Sequence, residues 1–194
     1  CGRFNIASGD FSNAVGSYNT ASGWYSSAVG FDNTVSGWYS SAVGYMNTAS
    51  GSNSSAVGYV NIASGWYSSA VGYRNEASGM GSNAVGGNNL AKSQASNAFG
   101  FSNTVNHGGS NTNPFISEGV GVATANAFGA RNNVTGAGAT AVGLKNTASG
   151  VVSSAFGTGA TANQTGAIAF AGWYDQNADN EIDDASLTAS ETAA

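Results

Sequence analysis

Charge is what this 194-residue chain has least of: Asp, Glu, Lys and Arg together make up 8% of it. Only five residues are basic, so the footprint of a nucleic-acid binder is missing. There is one proline, one cysteine and one histidine. A single cysteine excludes an internal disulfide. His107 lies in the irregular stretch "NHGGSN" with no thiol or paired carboxylate beside it, so neither an acid–base pair nor an activated nucleophile can be assembled, and no enzyme is expected. Its plain reading is a loop histidine. No run of about 18 apolar residues occurs, which excludes a membrane-spanning helix, and no secretory leader pattern is visible. The many Gly-x-Gly and Ser-rich segments open no helix, so they are turn punctuation rather than phosphate loops.

Gly, Ala, Ser and Asn fill the space instead, among 41% hydrophobic and 11% aromatic residues. That is too apolar and too regularly spaced for a disordered chain, and it points to a repeat architecture. "GWYSSAVG" stands at 23–30, again at 37–44 and again at 65–72. The Ala of each "A-x-G" recurs every 14 residues at Ala14, Ala28, Ala42, Ala56, Ala70, Ala84 and Ala98, and resumes at Ala127, Ala141, Ala155 and Ala169. Thr112 takes the intervening place, with one extra residue before Ala127 in the stretch "NPFISEGVG". This predicts a bulge or loop, near 106–120, in an otherwise continuous array. An Asn column from Asn5 to Asn103, continued by Asn132 and Asn146, and a Ser column from Ser12 to Ser110 keep the same step.

Fourteen residues are too few for a helix-pair repeat, and Gly, Ser, Asn and β-branched residues are poor helix formers. Two short strands and two turns fit the length. The fold class is therefore all-β: a parallel β-solenoid, or β-roll, of about twelve 14-residue coils over 1–172, each pairing with the next at about 4.8 Å, for a rod of roughly 55–60 Å. Residues 173–194 form a separate acidic tail, which holds six of the ten acids.

Side chains alternate between the two faces of a strand. Asn19, Ala21 and Gly23, with Ser26, Ala28 and Gly30, are small and repeat best, so they are expected to point inward as a thin layer of Ala, Ser and Gly beside a stacked Asn ladder. The opposite parity would press Val and Tyr against Thr and Ser, a poor core. Outward then go Val29, Val43, Val57 and Val71, with Phe31, Tyr45, Tyr59 and Tyr73 beside them. A monomer in water rarely leaves so long an apolar stripe uncovered, so self-association through these residues is expected.

The stretch "NTASGWYSSAVGYMNTASGSNSSAVGY" resembles the head repeats of trimeric autotransporter adhesins, the YadA-like heads, and the likeness covers most of 2–170. The resemblance implies a left-handed parallel β-roll that associates as a trimer and mediates adhesion at a bacterial surface, outside the cell. It implies as partners other copies of the chain together with host matrix, other cells or abiotic surfaces.

Three further features admit two readings each. Trp24 with Tyr25, Trp38 with Tyr39, and Trp66 with Tyr67 follow Gly at one turn of the coil; they either complete the oligomer interface or form an exposed platform for sugar rings or another surface. In "DQNADNEIDDAS", Asp175, Asn177, Asp179, Glu181 and Asp183 occupy alternate positions of an EF-hand-like loop resembling those of dockerins. Asn180 stands where such loops carry Gly, and Ser186 where they carry the bidentate acid, so the segment is either a weak Ca²⁺ site or a solvated acidic linker. Cys1 is either an apolar residue of a partial repeat or a lipid-bearing terminus.

Two functions follow. One is a displayed adhesive head. The alternative is a subunit of an extracellular filament, stacked head to tail through unpaired strand edges at the ends of the roll. Ice binding by the Thr column is disfavoured, because Ile62, Glu76 and Leu90 interrupt it.

Overall fold

The computed structural model describes residues 2–106 and 124–172, and among them every regular element is a β-strand. Each coil supplies one long strand of the Ser27–Phe31 type and one short strand of the Thr34–Val35 type. The long strands make a 12-stranded parallel sheet and the short ones an 11-stranded parallel sheet. Register is kept without slippage: Ala28 pairs with Ala42, Val29 with Val43 and Phe31 with Tyr45, and so on along the rod. Since each residue meets its own counterpart one coil away, a column in the sequence becomes a row parallel to the rod axis.

The interior is as thin as the parity argument predicts. Ala21, Ala28, Ala42, Ala49, Ala56 and their counterparts are fully buried, and the largest apolar side chains wholly inside are Val35, Val105 and Val134. The two sheets are thus held apart by little more than methyl groups. Polarity inside is handled by the Asn ladder. Asn47 donates from Nδ2 to Asn33 Oδ1 (3.0 Å), to the Val43 carbonyl (3.1 Å) and to the Gly58 carbonyl (2.8 Å). Its own Oδ1 accepts from the backbone N–H and the Nδ2 of Asn61, both at 3.0 Å. Every amide therefore ties its own turn to the coils on both sides, which satisfies a buried polar group that would otherwise be costly. The ladder runs from Asn5 to Asn146 and ends where Ala160 donates its backbone N–H to Asn146 Oδ1.

The Gly at the end of each "A-x-G" is fixed by the same contact. Gly44 has φ +123°, and a Cβ there would lie 2.1 Å from the Gly58 carbonyl oxygen, so no side chain fits. The turns also hold non-glycine residues in the left-handed region. Tyr18, Asp32, Met46, Val60 and Arg74 occupy one turn column with φ between 51° and 60°, and Phe11, Tyr25, Tyr39, Asn53 and Tyr67 occupy the other with φ between 51° and 58°. In both columns the N–H reaches back to the preceding coil, as from Tyr39 to the Trp24 carbonyl at 2.9 Å and from Met46 to Phe31 at 2.9 Å.

One expectation is corrected. The strand Asn97–Phe101 pairs directly with Asn126–Ala130, and Thr104 with Asn133, so the ladder passes from one to the other across a 29-residue step and Thr112 does not hold a rung between them. Asn103 and Asn132 remain neighbours in the Asn ladder at 3.0 Å. The physical reason is register: both strands of the coil match residue for residue at this 29-residue step, from Asn97 to Asn126 and from Thr104 to Asn133.

Candidate interaction surfaces

The outward face of the long-strand sheet carries two apolar rows. Val29, Val43, Val57 and Val71 form the first, each more than a third exposed. Phe31, Tyr45, Tyr59 and Tyr73 form the second, with ring centroids 5.3, 5.0 and 5.3 Å apart and planes within 14° of parallel. Rung spacing sets this separation, and offset-stacked rings suit it. Phe99 with Phe128 and Phe156 with Phe170 continue the Val row as stacked pairs at 5.4 and 5.2 Å. All eight residues expected at an oligomer interface therefore lie together on one face that the described residues leave uncovered.

The second aromatic set sits elsewhere. Trp24, Tyr25, Trp38 and Tyr39 occupy the turn before the long strand, whereas Phe31 and Tyr45 end that strand. The Ser27, Ser41, Ser55 and Ser69 row lies between this turn and the Val row, so the Trp–Tyr edge is separated from the apolar face by hydroxyls. Within the edge, Tyr25 and Tyr39 stack at 5.3 Å with planes 5° apart, and Phe11 stacks on Tyr25 at 4.7 Å. Trp24 meets Tyr25, Tyr39 and Trp38 edge-on at 4.9, 5.4 and 6.1 Å. Trp66 and Tyr67 follow after the rung of Ser52 and Asn53. Phe11 was missed as a member, although it stands one period before Tyr25 and the column would have found it.

Asp175, Asn177, Asp179, Glu181 and Asp183, like His107 and Cys1, lie outside the described residues. Among the described residues no three of His, Cys, Asp and Glu come together as metal ligands. The ion pair between Lys92 and Glu76 is 3.8 Å long and well exposed, where such a pair contributes little. No helix of the described residues is long and apolar enough to cross a membrane.

The family model of the YadA head domain repeat matches residues 7–33, 36–60, 63–89 and 148–170, more than half of the chain. The chain belongs to the YadA head domain family. Search of the curated proteins returns no match. As a YadA-like head, the chain carries the repeat of a structural adhesin domain, and the family as a whole forms trimers displayed at the cell surface. The stretch from 90 to 147, between two of the matched segments, contains the 29-residue step.

Proposed function

We propose that this chain is the non-catalytic adhesive head of a bacterial surface protein, with three copies packed along their rods through the long-strand sheet and working outside the cell. The observation that carries the reading is the pair of outward rows, Val29, Val43, Val57 and Val71 with Phe31, Tyr45, Tyr59 and Tyr73. The roll cannot rearrange to cover them, because its interior accommodates only small side chains and the Asn ladder fixes the register of each coil. None of the described residues covers that face, and a second copy of the chain would take it out of water. Burial of these rows would also explain why the face carries no charge for most of its length. Adhesion then follows from display and avidity, each head presenting its repeated outer edges several times over. The test is the double variant Val43→Asp with Val57→Asp. It is expected to dissociate the assembly to folded monomers in sedimentation velocity, with the β-sheet circular dichroism retained. An unchanged assembly would remove this face from the interface.

A further inference from the structure

We propose that Trp38 and Trp66 form a binding platform for a neutral β-1,4-linked polysaccharide lying along the rod axis, with Trp24 as the positioning residue behind Trp38. The fold does not need indoles here. Asp10, Ser52, Met80 and Gln94 occupy the same turn position in other coils, with the same backbone path. Yet three of the four tryptophans of the chain fall in this one row, within 43 residues of one another. The Ser27, Ser41, Ser55 and Ser69 row stands between this row and the Val row.

Ring geometry sorts the aromatics into two jobs. Phe11, Tyr25 and Tyr39 stack in one run, so Tyr25 is covered on both faces, while Phe11 and Tyr39 at its ends each have a stacking partner on one side only. They form a stiff wall. Trp24 is the most covered indole of the three, 38% exposed, and stands 74° to the plane of Trp38, so the two cannot both lie flat on one ligand. Trp38 and Trp66 are each 60% exposed. They are two rungs apart, roughly 10 Å at the usual strand spacing.

That interval has a chemical counterpart. In an extended β-1,4-linked chain of hexopyranoses each ring advances by a length close to one rung, and successive rings are turned over, so every second ring presents the same face. Equatorial substitution leaves axial C–H groups on that face, and these pack against the electron-rich face of an indole. Rings two apart would meet Trp38 and Trp66, while the rung of Ser52 between them stays free of a bulky side chain. Ser36, Ser50 and Ser64 are exposed beside the row and can exchange hydrogen bonds with sugar hydroxyls. Asp32 and Arg74, the charged residues between Asp10 and Glu76, both stand at the opposite turn, so the stretch from Trp24 to Trp66 suits an uncharged ligand. Gly37, where a Cβ would lie 2.0 Å from the Gly51 carbonyl oxygen, and the stacked wall fix where Trp38 leaves the backbone. Such preorganisation limits the entropy lost on binding.

The proposal does not depend on the oligomeric state. Swollen amorphous cellulose and colloidal chitin serve as two arms, with α-linked dextran as the comparison. The unmodified protein is expected to be retained on cellulose or chitin in molar NaCl and not on dextran. Trp38→Ala and Trp66→Ala should each weaken retention at least about tenfold, Trp24→Ala less, and Met80→Ala, one rung beyond Trp66 in the same row, not at all. Sedimentation mass and melting temperature should be the same for all four variants, which separates loss of the platform from loss of the assembly or fold. Failure of the unmodified protein to bind either matrix, or equal retention of Trp38→Ala and Trp66→Ala, would overturn the proposal and leave the adhesive-head reading standing.

Discussion

Two buried polar columns run through this roll, and they differ in what their side chains do. Asn47 is bonded to Asn33, Val43, Gly58 and Asn61, so Asn47→Ala orphans several buried groups at once. At about 1–3 kcal/mol for each unsatisfied group, the variant is expected to lose roughly 3–5 kcal/mol in denaturant unfolding. Ser26 is as deeply buried, but its hydroxyl has no partner, and Ala125, Ala139 and Ala167 stand in the same column. Ser26→Ala should therefore fall within about 0.5 kcal/mol of the unmodified protein or exceed it in stability. A residue-scale gain is expected at Val60. It holds φ at 55°, a left-handed conformation that is costly for a β-branched side chain, while Asn88 takes the same place with φ 53°. Val60→Asn should raise stability by about 1 kcal/mol in the same unfolding experiment.

Coils, not strands, are the structural elements of this protein, and the direct pairing of Asn97–Phe101 with Asn126–Ala130 identifies one coil as interchangeable. Asn106 and Thr124 occupy the places that Ser22 and Tyr25 occupy in an ordinary coil, where Gly23 and Trp24 are enough to join them. Replacing 107–123 by the dipeptide Gly-Ser should restore an unbroken 14-residue step and keep the β-sheet circular dichroism. A loss of cooperative melting would show that 107–123 supports the roll. The parallel roll, its inward Asn, Ala and Ser columns and its outward Val and aromatic rows were legible in the sequence, because a solenoid converts period directly into neighbourhood. Residue 112 was misread for the same reason: counting by 14 finds an acceptable Thr there, whereas strand pairing depends on matching both strands of the coil together. The separation of Trp24 from Phe31 was likewise out of reach. Column spacing says which residues share a row, and only the path around the turn says which rows are adjacent. Stacking that covers both faces of Tyr25 and sets Trp24 edge-on to Trp38 depends on side-chain angles that no periodicity encodes.

At the scale of the whole molecule, a thin roll has no depth in which to hide large apolar side chains. Its core is made of Ala, with Val35, Val105 and Val134 as the bulkiest exceptions, so Val, Phe and Tyr are placed on the outside. On the proposed reading association follows from the architecture: the described interior is too shallow to bury such residues, and burial between copies removes them from water. Constant register adds to this, since rows repeated from coil to coil offer a matching surface to the same rows of another copy. The most direct measurement is sedimentation equilibrium of the unmodified chain at micromolar concentration. A single species at three times the chain mass of 19.2 kDa is the predicted result. A folded species that remains at the mass of one chain up to high micromolar concentration would contradict the claim that the outward rows are covered by copies of the protein.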